Sequence, residues 1–199
     1  MKTRRWVVVA LAAIAGAWAS GSARAEDPGR FGQSGQVVLS VERLTGFLHV
    51  EQESRSTATN EVYLLASPLG AIGAYTWPRV GFDGFVIDGL SVGIAASYTH
   101  VAQGNSTADL LQAAPRVGYA APLSPSVAIW PRAGLTFTES LGDGDVDESL
   151  LALTLEVPFA LQIAPHAAIL VGPTLDLGIA ATHRKVTELG ASAGLGLVL

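Results

Sequence analysis

From Val186 to Leu199 the chain alternates. Thr187, Leu189, Ala191, Ala193, Leu195, Leu197 and Leu199 take the odd positions, and Glu188, Gly190, Ser192, Gly194 and Gly196 take even ones. A period of two with unlike sides predicts a β-strand, one face apolar and the other small or polar. The pattern recurs over about 36–48, 73–86, 90–100, 108–120, 125–138, 149–162 and 166–179, so eight strands are expected. Asp88-Gly89, Pro122-Leu123-Ser124-Pro125 and Ala164-Pro165 mark short turns. The links near 49–72, 101–107, 139–148 and 180–185 are longer and more polar. Short and long links alternate, as they do in an up-and-down barrel crossing an outer membrane.

The faces support a lipid-facing exterior. In 149–162, Leu151, Leu153, Leu155, Val157 and Phe159 oppose Ala152, Thr154, Glu156 and Pro158. The non-apolar set there and elsewhere is dominated by Gly, Ala, Ser and Thr, which suits the crowded bore of eight strands. Tyr98 and Phe137 fall near the long-link ends of their strands, whereas Phe82, Tyr119 and Phe159 fall near the turns. Two tiers of outward aromatics match the girdles of a membrane barrel. The expected fold is therefore all-β: an eight-stranded antiparallel up-and-down transmembrane β-barrel.

Composition adds an address. Lys2, Arg4 and Arg5, the apolar run Trp6 to Trp18 and the small-x-small step Ala23-Arg24-Ala25 predict a cleaved export signal over 1–25. A short periplasmic segment is then expected over 26–35 and the barrel over 36–199. Without that leader, eight Lys and Arg face seventeen Asp and Glu, a formal charge of −9, and Lys185 is the one remaining lysine. Such a chain is not expected to bind nucleic acid. There is no cysteine, hence no disulfide, lipid-acylated cysteine or thiolate metal site.

A step repeats along the strands: Trp77-Pro78-Arg79-Val80-Gly81, Ala114-Pro115-Arg116-Val117-Gly118 and Trp130-Pro131-Arg132-Ala133-Gly134, echoed by Gly172-Pro173-Thr174. Alternation sends each arginine and glycine inward. Proline cannot donate to a ladder, so bulges or local bends are expected at these steps. The inward set then holds Arg79, Arg116 and Arg132 with Glu42, Asp83, Glu156, Asp176 and Glu188. Buried charges persist when paired and hydrogen-bonded. One network filling the lumen and blocking conduction is the expectation, with a polar ligand or ion pathway as the alternative.

On these residues the chain resembles the small eight-stranded outer-membrane β-barrels, the OmpA-like and OmpX-like group. The Pro-Arg-x-Gly steps and the stretch Gly81-Phe82-Asp83-Gly84-Phe85-Val86-Ile87-Asp88-Gly89-Leu90-Ser91 also resemble uncharacterised Gram-negative outer-membrane barrels. One departure is the final Leu199, where such barrels commonly carry an aromatic. The resemblance brings no active site. It implies contact with outer-membrane lipid and lipopolysaccharide, insertion by the barrel-assembly machinery, and a monomer whose external loops meet a partner the sequence does not name.

Other chemistry is thinly represented. Asp143-Gly144-Asp145-Val146-Asp147-Glu148 begins like a calcium loop but has Glu148 where glycine is required. His49, His100, His166 and His183 show no metal-ligand spacing. A lipid-modifying enzyme, the further alternative, would need Ser, His and acidic residues near the rim, and His100 with Ser97 and Glu139 is such a grouping, though no motif singles it out. The expected protein is non-enzymatic and without cofactor, structural or surface-interacting, with a narrow channel or small-ligand transporter as the second reading.

Overall fold

The computed structural model describes residues 30–52, 57–64, 77–103, 106–140, 149–182 and 185–199. The expected leader, the acidic run 143–148 and His183 lie outside these described residues. Twelve strands appear: β1 (Val37–Gln52), β2 (Thr57–Leu64), β3 (Arg79–Ile87), β4 (Leu90–Gln103), β5 (Ser106–Tyr119), β6 (Ala121–Ser124), β7 (Val127–Ile129), β8 (Arg132–Ser140), β9 (Ser149–Glu156), β10 (Phe159–Ala164), β11 (Ala167–Ala181) and β12 (Val186–Val198). All ladders are antiparallel, running β12-β1-β3-β4-β5-β8-β9-β11, and β11 pairs with β12 to close the cylinder.

The twelve strands make eight staves, because several share one line. β5 continues into β6, β7 into β8 and β9 into β10. β1 pairs with β3 through Val37 to Glu42 and with β2 from Thr45 to Gln52, so β2 and β3 lie end to end along one side of β1. Part of the expected external loop 49–72 is thus strand: β1 runs on to Gln52, and β2 sets Val62 and Leu64 outward with Tyr63 buried. The expected strand 73–86 begins, within the described residues, only at Arg79. Pro78 has no N–H to give a ladder and restricts Trp77 before it.

The prolines change hydrogen bonding without changing register. Gly118↔Arg132 on one side of Pro131 and Ala121↔Ile129 on the other follow the same alignment. So do Thr174↔Glu156 and Phe159↔Val171 around Pro158. The bulges expected at these steps are therefore replaced by simple gaps. What proline keeps is its carbonyl: Pro131 O accepts from Tyr119 N at 2.9 Å, Pro158 O from Trp130 N at 2.8 Å and Pro173 O from Val157 N at 3.0 Å. Each gap stays tied to the neighbouring stave.

The exterior carries the apolar set. Val80, Val117, Tyr98, Tyr119, Leu189 and Leu195 are all more than half exposed. In water such a surface would aggregate, whereas in hydrocarbon it is the favoured partner. No helix among the described residues is long and apolar enough to cross a membrane, so strands are the crossing elements on offer.

Inside, the side chains stack in three layers. At the turn end, Phe31, Val38, Phe85, Trp130, Leu170 and Val198 pack with small alanines. At the loop end, Leu48, Val50, Tyr63, Leu150, Ala152 and Val186 form a second apolar layer. Charged and hydroxyl side chains occupy the space between.

Candidate functional site: the buried charge belt

Among the described residues the middle layer holds nine buried charged side chains. Four are arginines, Arg43, Arg79, Arg116 and Arg132, and five are acids, Glu42, Asp83, Glu156, Asp176 and Glu188. Their staves surround the lumen, so alternation aims them at one axis. Glu42 is the hub. It accepts from Arg116 Nη1 at 2.6 Å and Nη2 at 2.8 Å, from Arg132 Nη1 at 2.6 Å, from Arg79 Nε at 3.1 Å and from Ser40 Oγ at 2.9 Å.

The neighbouring carboxylates share the same arginines. Asp83 accepts from Arg116 Nε at 2.9 Å and also pairs with Arg116 Nη2, a two-pronged grip suited to guanidinium. Glu156 pairs with Arg79 Nη2, with Arg132 Nη2 at 3.0 Å and with Arg43 Nη2 at 3.2 Å. Asp176 takes Arg43 Nη1 at 2.8 Å and the Thr154 hydroxyl at 2.6 Å. Glu188 is fully buried on β12, directly across the ladder from Asp176, and within electrostatic reach of Arg43. Isolated charges at this depth would be strongly penalised, and mutual pairing is what offsets their desolvation.

The glycines of the repeat make this crowding possible. A side chain at Gly81 would begin 2.6 Å from Arg116 Nη2, one at Gly118 would begin 2.8 Å from Arg132 Cγ, and one at Gly134 would begin 2.9 Å from Arg116 Cβ. In Pro-Arg-x-Gly, arginine is the filler and glycine is the space into which another stave's arginine lies. Below the belt, Trp130 donates to Ser91 Oγ at 3.0 Å, and the Arg132 guanidinium sits 4.5 Å from the centre of its ring. That contact adds a cation–π attraction between the charged layer and the aromatic one.

Little space is left. A cavity of about 20 Å³ lies beside Glu42, Arg43, Arg132 and Glu156, and another of about 10 Å³ beside Arg79, Arg116 and Gly134. These volumes suit about one water molecule each.

No known family model matches the chain, and no curated protein matches it. Solved structures do. Neisserial surface protein A aligns at 15% identity with a TM-score of 0.54, covering 82% of this chain and 97% of its own. Ail, the attachment invasion locus protein of Yersinia pestis, aligns at 9% identity with a TM-score of 0.51, covering 84% and 100%. The outer membrane protein OprG from Pseudomonas aeruginosa aligns at 12% identity with a TM-score of 0.50, covering 87% and 99%. This chain has the fold of the small eight-stranded outer-membrane β-barrels.

Within that outer-membrane barrel fold, the eight charges picked out by alternation all lie in the belt, and Arg43 joins them unannounced. Strict alternation sends Arg43 outward with Val41. Between Val41↔Leu195 and Thr45↔Ala193, however, β1 carries two more residues than β12, and Arg43 has φ 56°. That bulge turns both Glu42 and Arg43 inward. The signal was present in the sequence: an outward arginine at that depth would cost about 2–4 kcal/mol in lipid.

The rim grouping expected for an enzyme is divided by the barrel wall. His100 Nδ1 pairs with Asp109 Oδ1 at 2.7 Å, which also accepts from Tyr98 O–H at 2.8 Å, and this trio sits on the outer surface. Ser97 follows the opposite parity, toward the lumen, because side chains alternate along β4. Among the described residues no group of three or more His, Asp or Glu is placed to hold a metal ion.

Proposed function

We propose that this protein is a monomeric, non-enzymatic outer-membrane barrel with a closed lumen, serving a structural or surface-interaction role through its loop end. Its turn end faces the periplasm, as the alternation of short and long links requires of such barrels. Lipid and lipopolysaccharide meet its apolar exterior, and the barrel-assembly machinery inserts it. The observation that carries the reading is the stacked interior: apolar layers at both ends, with the paired charge belt between them. An ion crossing it would have to part several buried pairs.

The loop end is where a partner would act, since rigid scaffolds carry function on their connections. Ail has been solved with the heparin analogue sucrose octasulfate. The chain is formally −9 without its leader; Glu51 stands at the loop end of β1, and the sequence of the long links adds Glu53, Asp143, Asp145, Asp147 and Glu148. Such a surface suits a cationic partner better than a sulfated one.

Planar-bilayer recording tests the closed lumen. The purified barrel is expected to give no current steps across the voltages a bilayer withstands. Reproducible unitary conductance would contradict the proposal and favour the narrow-channel reading.

A further inference from the structure

We propose that residues 30–36 are a latch that docks after the barrel closes and holds its closing seam shut from the turn end. The anchor is Phe31, which is 4% exposed and meets Phe85 and Trp130 edge-on, with ring centroids 5.6 and 5.1 Å away. Val38 of β1, Leu170 of β11 and Val198 of β12 belong to the same buried cluster. That cluster draws on the first and the last strands, whose Val38 and Val198 face each other across the seam. It is therefore complete only once β1 and β12 have joined.

Polar contacts hold the segment across the barrel base. On one side Gly89 N donates to Gly32 O at 2.8 Å, Ser34 N to Asp88 Oδ1 at 2.8 Å and Gly35 N to Phe85 O at 2.8 Å. On the far side Phe31 N donates to Gln162 Oε1 of β10 at 3.3 Å. The β2/β3 and β9/β10 staves stand opposite each other in the ring, so the segment spans the opening. Gly32 (φ 93°) and Gly35 (φ 88°) supply left-handed bends that let so short a stretch double back into the bore.

The seam beneath the latch is closed by Val37 N to Leu199 O at 3.0 Å and Leu199 N to Val37 O at 2.8 Å. An interaction made after the folding transition state slows unfolding and leaves folding unaffected. Removing a buried phenylalanine side chain should thus act on one rate only.

The test is Phe31→Ala, with Phe31→Leu beside it, refolded from urea into detergent micelles and followed by the gel shift between folded and unfolded barrel. For Phe31→Ala, unfolding should accelerate by about two to four orders of magnitude, with refolding unchanged. Phe31→Leu should shift unfolding in the same direction by less. Amide exchange at Val37 and Leu199 should rise, while exchange in the β4–β5 ladder stays as it was. Refolding slowed by the same factor, no change in either rate, or failure of Phe31→Ala to fold at all would each overturn the latch.

Discussion

Glu42 shows how much a single position can carry. Three arginines converge on its two oxygens, and each of them also holds another carboxylate. Replacing one member strands others in a low-dielectric core. Arg116→Leu, which leaves Asp83 without its two-pronged partner, should lower stability by about 3–5 kcal/mol. The check is a urea midpoint in detergent, and an unshifted midpoint would contradict a buried pair. At this scale the sequence was informative because a charged residue on the small-residue face has one place to go. Arg43 escaped the same reasoning because a bulge breaks the period that the reasoning counts on. Phe31 escaped it too, since it precedes the first alternating segment and no periodicity marks a side chain that docks from outside a strand.

At the level of strands, facing is conserved wherever the number of inserted residues is even. The two extra residues in β1 return Leu48 and Val50 to the lumen and Phe47 to the exterior, the same parity that Val38 and Ser40 follow below. A one-residue change cannot do that. Deleting Arg43 and Leu44 together should therefore preserve the barrel but weaken it, because Asp176 loses its arginine. Deleting Leu44 alone should prevent folding, because Phe47 would turn in and Leu48 out. The gel shift distinguishes the two: a folded but destabilised band for the double deletion and none for the single. Strand facing and the turns at Asp88-Gly89 and Ala164-Pro165 were legible from alternation and turn residues, whereas the turn expected over Pro122-Leu123-Ser124-Pro125 falls later: Ala121–Ser124 is strand β6, and the chain turns at Pro125-Ser126. The extent of β2 was not, since Val62-Tyr63-Leu64 reads equally as an apolar loop patch. The prolines misled in a specific way: a missing N–H suggested bulges, yet gaps with retained carbonyl acceptors keep the register.

The whole molecule is a cylinder greasy outside and charged within, the reverse of a soluble domain. Its closure is global, because the belt draws on β1, β3, β5, β8, β9, β11 and β12 and can form only when those staves share one axis. That topology followed from counting alternating segments and sorting their links by length. What the loop end recognises did not, because loops carry no periodicity to read. The absence of native cysteine allows a direct test with single-cysteine variants in bilayers, probed by a membrane-soluble thiol reagent. Cysteine at Leu135, Leu155 or Leu177 should react readily, and cysteine at Ala152, Thr154 or Thr174 should resist. Brisk labelling of the second set with protection of the first would contradict the account.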